Sequence, residues 1–363
     1  MHGNLTIPSR KETIERFQAE QGRIAAVLPI HSPRALLRAF GFLPVEVWGP
    51  PRVDPSQGAA HVQAYVCSIA RNALSFVLSG GLEVADLILV PHACDSLQGL
   101  GSLLLDFLRP QQPVSPLYLP RGRGTSGQRF LVEELKALYR ELVEMTGEAP
   151  TEGELMDCIR REEAADARLA ELHRCRQRLP LTQLELYRLI RAREYLPAES
   201  FSSLAEEVLI QANDVPEKRG TPVLLSGIVP EPMELFEALD EMGAWVAADD
   251  LACCGRRLYP PGEGEDPFQR LAGSLLSATP DAMNGGPIAA RLKRLTDLAK
   301  AGEARGVIFY DVKFCEPELF DLPLLRQGLQ QAGLRSLSLE VDLGDRLSQQ
   351  SLTRLEAFLE TIQ

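Results

Sequence analysis

At 363 residues the chain exceeds the size at which a single hydrophobic core usually stops growing, so two domains are expected. A formal charge of -12 argues against a polyanionic partner such as nucleic acid, which needs a basic face, and leaves room for a nucleotide-like ligand on a local Arg patch. With 45% hydrophobic and 24% charged residues the composition is that of an ordinary globular protein, and no apolar run is long enough to cross a bilayer.

The start, Met1-His-Gly-Asn-Leu-Thr, has neither the basic segment nor the apolar core of a secretory signal, which predicts a cytoplasmic protein with reduced thiols. Lys11 to Ala19 reads as a polar amphipathic helix. Arg23 to Leu28 is a short apolar strand, followed by Ser32-Pro33 and a helical run from Arg34 to Phe40 that stops at Gly41. Val45 to Trp48 reads as the second strand of a βαβ unit, closed by Gly49-Pro50-Pro51.

Tyr65 to Leu78 has helical spacing with Cys67 in its first turn, and Gly80-Gly81 ends it. Further strands are predicted at Leu87 to Val90 and Leu117 to Leu119, separated by a helix from Leu97 to Phe107. Pro120-Arg-Gly-Arg-Gly-Thr-Ser-Gly127 is a loop, in which Arg121 and Arg123 are candidates for phosphate contacts.

This organisation gives an N-terminal α/β domain with a leading helix over residues 1–129. Residues 130–215 form a helical bridge rich in Glu, Arg and Leu, with breaks around Gly147 to Pro150 and at Leu179-Pro180. A second α/β domain spans 216–363, with strands at Pro222 to Gly227, Trp245 to Ala248, Val307 to Tyr310 and Leu337 to Val341. Helices are expected from Glu231 to Met242, Pro267 to Ala301 and Ser348 to Ile362. The predicted class is α/β with two parallel-sheet domains joined by a helical segment.

Cysteines fall beyond three of these strands: Cys94, Cys254 and Cys315. In open α/β sheets, ligands bind at the carboxyl ends of strands, so thiols from distant segments can converge there, and convergent thiolates are what an iron-sulfur cluster needs. The alternative is that these cysteines are small buried hydrophobes. No CxxC pair suggests a zinc ribbon or a thioredoxin motif among the seven cysteines. Cys158 and Cys175, in the bridge, read as structural, and the vicinal Cys253-Cys254 pair has poor geometry for a disulfide.

The order of Ser32 to Gly41, Pro44-Val45, Cys67-Ser68 with Arg71, Cys94-Asp95-Ser96, Asp249-Asp250 leading to Gly255-Arg256-Arg257, and Phe314-Cys315-Glu316 resembles the 2-hydroxyacyl-CoA dehydratase and benzoyl-CoA reductase family of iron-sulfur subunits. The resemblance covers nearly the whole chain. It implies flavodoxin-like or Rossmann-like domains and a 4Fe-4S cluster held by Cys67, Cys94 and Cys315, with the fourth iron position open to water or substrate. It also implies an acyl-CoA substrate, a homologous second subunit or a homodimer, and a separate ATP-hydrolysing iron-sulfur activator protein. The chain itself has no GxxxxGK[ST] P-loop.

Cys254 is a further candidate ligand, and a double-cubane cluster is the alternative in which it would serve. A non-catalytic electron-relay or scaffold subunit is a second alternative. His31 and Ser32, after the first strand, could reach a bound thioester, although Ser before Pro at a helix start also suits a cap. His92, two residues before Cys94, could donate a hydrogen bond to a cluster or move a proton. Asp249 and Asp250 are expected to orient the loop carrying Arg256 and Arg257.

Overall fold

The computed structural model describes residues 5–214, 216–279 and 285–363; the expected start at Met1 to Asn4 and the boundary residue 215 lie outside them. Eight strands run in chain order: β1 (Arg23–Val27), β2 (Phe42–Glu46), β3 (Leu87–Pro91), β4 (Val114–Leu117), β5 (Thr221–Gly227), β6 (Ala244–Leu251), β7 (Gly306–Val312) and β8 (Arg335–Val341). They form two parallel four-stranded sheets, ordered β2-β1-β3-β4 and β6-β5-β7-β8. The expected α/β class with two parallel-sheet domains is the observed one. Each sheet repeats one winding: the chain starts in the interior, goes to one edge, then crosses over the first strand to the other side.

Strands buried on both faces explain the near-continuous apolar runs in the sequence. In β1, Ile24 and Ala26 join a core that continues across the inner faces of both sheets, whereas Ala25 and Val27 face a second core under helices Arg34–Ala39, Thr125–Thr146 and Glu152–Cys175. In β7, Ile308, Tyr310 and Val312 join the shared core, and Val307 and Phe309 pack under helices Ile288–Ala301 and Glu316–Gln331. No helix among the described residues is long and apolar enough to cross a membrane.

Two strands begin a few residues earlier than their apolar runs suggest. β2 starts at Phe42 and β4 at Val114, and each contains a proline, Pro44 or Pro116, that reads locally as a strand breaker. Both are edge strands, where a missing N–H on the outer side leaves no ladder bond unmade. Ser32 is not a helix cap: the helix begins at Arg34 with Pro33 in the N-cap position and no side-chain cap bond, and the Arg34 N–H donates to the Ser32 carbonyl at 2.9 Å. The expected helix from Pro267 to Ala301 is two helices, Pro267–Leu276 and Ile288–Ala301, and residues 280–284 between them lie outside the described residues.

The bridge breaks a third time, between helices Gln183–Ala192 and Ala198–Ile210, where the periodic pattern predicts continuous helix. The break serves packing. It lays Glu194 along the edge of the first sheet, where its carbonyl accepts the Glu46 N–H at 3.0 Å. It also places Arg193 and Glu194, both 0% exposed, within a buried set of charges. Arg193 meets Glu162 at 2.5 Å and Asp166 at 2.9 Å; Arg34 meets Glu162 at 3.2 Å and Glu46 at 3.7 Å. Arg257, from beyond β6, closes the set on Glu46. Burial pushes the Glu162 carboxyl up, but Arg193 and then Arg34 pull it further down, to about 2.

Each buried charge in this set has opposite charges close by, and removing one partner strands the others in a poorly solvated site. Glu162→Ala, which leaves Arg34 and Arg193 without their shared carboxylate, is expected to cost about 3–5 kcal/mol of unfolding free energy at neutral pH. Urea denaturation followed by circular dichroism checks this; a loss under about 1 kcal/mol would mean that Asp166 and Glu46 suffice to compensate the two guanidinium groups.

Candidate functional site

Three cysteines occupy N-cap positions of three helices. Cys67 precedes helix Ser68–Leu78, Cys94 precedes Asp95–Ser102, and Cys315 precedes Glu316–Gln331. Cys94 and Cys315 hold equivalent places in the two sheets, each just past the third strand of its sheet, which neighbours the first strand. That neighbourhood is the topological switch point of this winding, where ligands bind in open α/β sheets. Phe314, directly before Cys315, has a φ of 61°, a left-handed conformation that is costly for a bulky residue.

Cys67 reaches the site from the segment between β2 and β3 and is tied to the other sheet. Arg71, one turn into its helix, pairs with Asp342 at 3.2 Å, and the Leu343 N–H donates to the Ser68 hydroxyl at 3.3 Å. Asp342 and Leu343 come directly after β8, beside the end of β7 that leads to Cys315. The N-terminus of the Cys67 helix is thereby held against the second sheet.

The three thiols lie within electrostatic reach of one another. Burial raises all three: Cys94 reaches about 12 with Cys67 adding to the rise, and Cys315 is pushed well up, with Cys67 and Cys94 both contributing. No cap hydrogen bond closes on any of the sulfurs. First-turn amides nevertheless pull against the rise: those of Ala70 and Ile69 at Cys67, Leu97 and Ser96 at Cys94, and Glu318 at Cys315. Three helix N-termini thus turn N–H groups and partial positive charge toward the three thiols.

Among the described residues no set of three His, Cys, Asp or Glu side chains closes tightly enough to hold a metal ion. The donor set still suits an iron-sulfur cluster, which takes thiolates and spans more space than one ion. Buried nitrogens without partners lie close by along the chain: Nε of Arg71, four residues after Cys67, and both ring nitrogens of His92, two residues before Cys94, make no hydrogen bond. His92 stacks edge-on against Tyr118 at 4.5 Å and, with Cys94, Pro120 and Arg121, lines a small cavity of 100 Å³. Cys94, partly exposed, gives this site an opening to solvent. A separate cavity of 680 Å³, between β1, β2 and the segment around Leu5 to Arg10, contains none of these cysteines.

The remaining candidates are engaged with other partners. His31, with a φ of 61°, contacts the Tyr259 hydroxyl through Nδ1 at 2.8 Å, and Ser32 lines a 50 Å³ cavity with Arg257 and Tyr259. Neither has a described contact with the three cysteines. Cys253 and Cys254 are fully buried with sulfurs 3.3 Å apart, and the groups acting on Cys254 are Cys253, Asp249 and Arg191 rather than the other cysteines. Asp249 and Asp250 lie inside β6 and organise the turn beyond it. Asp249 accepts the Gly255 N–H at 2.7 Å and Arg176 at 2.7 Å, while Asp250 holds Arg294 at 2.8 Å. Arg121 is paired with Asp95 at 3.0 Å and Arg123 with the Thr279 carbonyl at 3.2 Å, both at the surface. Cys158 and Cys175 sit on bridge helix Glu152–Cys175, as structural thiols would.

The sequence pattern that defines the 2-hydroxyglutaryl-CoA dehydratase D-component matches residues 29–362 of this chain. The chain belongs to that family. Its relatives include the (R)-phenyllactyl-CoA dehydratase beta subunit of Clostridium sporogenes, 24% identical over 98% of this chain and 96% of that one. The beta subunit of lactoyl-CoA dehydratase from Anaerotignum propionicum is 25% identical over 97% and 95%, and a subunit of the benzoyl-CoA reductase of Thauera aromatica 26% over 84% and 81%. This member of the family is therefore an enzyme subunit of the acyl-CoA dehydratase and reductase type.

Sequence reasoning assigns no role to Asp342 or Asp311. Asp311, on β7 four residues before Cys315, is 1% exposed and neither carboxylate oxygen has a partner. Burial, then Glu318, raises it to about 7 against the pull of Arg291 and Arg256. A carboxyl raised in the folded state binds its proton more tightly there than when unfolded, so the protein loses stability as pH climbs from about 4 to about 7. Asp311→Asn is expected to remove that loss, being more stable than the parent at pH 8 by about 2–4 kcal/mol and close to it at pH 4. Urea melts at the two pH values decide; equal differences at both would place the Asp311 proton elsewhere.

Proposed function

We propose that this subunit holds a 4Fe-4S cluster on Cys67, Cys94 and Cys315 and acts on a CoA thioester, as a dehydratase of a 2-hydroxyacyl-CoA or a reductase of an aromatic acyl-CoA. The observation that carries the proposal is that three cysteines stand at helix N-caps and act electrostatically on one another, with unpartnered buried nitrogens on neighbouring Arg71 and His92. When bound, such a cluster supplies a low-potential electron and an open Lewis-acid iron. Family membership and the activities for which the relatives are named, phenyllactyl-CoA and lactoyl-CoA dehydration and benzoyl-CoA reduction, support the thioester class.

The residues of this chain then have distinct tasks. Three helix N-termini orient the thiolates and offset the negative charge that they bring. Loading releases the thiol protons, because metal ligation needs the thiolate. His92, beside Cys94 and the small cavity, holds or delivers a proton at a ring nitrogen; burial lowers its basicity, which favours the neutral ring. Ser32 and His31 serve, on this reading, where an incoming thioester passes the end of β1. Cys253 and Cys254 pack the junction beneath Arg191 and Asp249 and do not ligate.

The partially exposed Cys94 and the opening beside it are consistent with a site that a second polypeptide completes, and the relatives are themselves named as single subunits of larger enzymes. An ATP-hydrolysing iron-sulfur activator would supply the electron. Iron and acid-labile sulfide on anaerobically purified protein test the ligand set. About four irons per chain are expected in the parent and in Cys254→Ser, with loss in Cys67→Ser, Cys94→Ser and Cys315→Ser. Iron lost only with Cys254→Ser, or none in the parent, would overturn the assignment.

A further inference from the structure

Arg71 stands one helical turn after Cys67, the N-cap of helix Ser68–Leu78, and the Arg71 N–H donates to the Cys67 carbonyl at 3.1 Å. Its side chain is 17% exposed, and its charge acts on the Cys67 thiol, drawing it down against burial. One edge of the guanidinium is engaged: Nη2 lies 3.2 and 3.4 Å from the two carboxylate oxygens of Asp342. The Nε–H is buried and has no partner. Asp342 also accepts the N–H of Leu343 at 3.0 Å, which fixes its carboxylate at the end of β8.

We propose that Arg71 and Asp342 form an opposed charge pair that sets the reduction potential of the group bound at Cys67, with the Arg71 Nε–H, which reaches no protein acceptor, left to donate to a sulfur of that group and Asp342 tempering the charge. The inference rests on the reading of Cys67, Cys94 and Cys315 as cluster ligands. Reduction takes one electron from an external low-potential donor with no bond made or broken, so the site gains one unit of negative charge. A fixed cation and an N–H···S bond favour the reduced form, and a fixed anion disfavours it. Since Asp342 comes from the second sheet, the potential depends on how the two sheets meet.

The test is an anaerobic redox titration of the full chain, followed by electron paramagnetic resonance with mediator dyes and dithionite as reductant. Arg71→Gln is expected to lower the potential by about 59 mV, a tenfold change in the one-electron equilibrium. Asp342→Asn should move it upward, and Arg71→Lys, which keeps the charge and loses the planar donor, should fall between Arg71→Gln and the parent. Iron content and circular dichroism accompany each titration. A parent without iron overturns the ligand reading and this inference with it. Iron-loaded variants whose potentials match the parent, or which both shift the same way, overturn the charge pair alone, assigning Arg71–Asp342 to joining the sheets. Should Arg71→Gln lose its iron, the Asp342→Asn and Arg71→Lys shifts decide by the same criteria.

Discussion

The arrangement depends on a buried set of charges where the two sheets and the bridge meet. Arg34 and Glu46 come from the first sheet's segment, Glu162, Asp166 and Arg193 from the bridge, and Arg257 from the second sheet's side. Arg10, Arg191 and Glu231 extend it through Glu194, at 2.7 Å to Arg10 and 2.8 Å to Arg191, with Arg191 at 2.5 Å from Glu231. Hydrophobic contact would hold the same elements together without fixing their relative position, because apolar surfaces can slide. Charges buried in one low-dielectric region have few alternative partners, so only a narrow range of placements satisfies all of them. Whether two sheet ends can present thiols to one group therefore depends on residues with no part in the chemistry.

A second constraint is the repeated winding. Because each sheet places its third strand beside its first, Cys94 and Cys315 emerge at matching points, each at the start of a helix. The helix N-terminus is useful to a thiolate only if something compensates for burial. In the free thiols burial prevails, and all three are raised. A bound cationic iron would reverse that balance, because metal ligation favours the thiolate over the thiol. Cys67 stands outside the repeat and needs the Arg71–Asp342 and Ser68–Leu343 contacts to hold its helix in place.

Polar clusters in the second sheet show the same division between scaffold and chemistry. Glu318, in the first turn of the Cys315 helix, binds Arg256 at 2.8 Å and also Arg291, and these pull its carboxyl down to about 2 despite burial. Asp249 organises the turn after β6 from inside the strand. These groups anchor the backbone on either side of Cys315 and Cys254, which is why carboxylates near a thiol site need not be acids or bases in its reaction.

The eight strands, the helical bridge and the family itself were legible along the chain. Parallel strands buried on both faces write continuous apolar runs, and short motifs such as Cys94-Asp95-Ser96 mark a strand end and a helix start locally. Edge strands β2 and β4 were displaced because a proline reads as a break until the sheet order shows that its outer side is free. The break at Arg193 to Pro197 was hidden because nothing in local periodicity announces a buried charge cluster. Strand-end position alone treats Cys254 and Cys315 alike, and it is the family resemblance that singles out Cys67, Cys94 and Cys315, with Cys254 as a further candidate. The tertiary structure gives Cys315 the company of Cys67 and Cys94, and Cys254 that of Asp249 and Arg191. Arg71 and Asp342, 271 residues apart, are decided in the same way, since propensity and periodicity act over a few residues whereas ion pairing is settled by the packing of whole sheets.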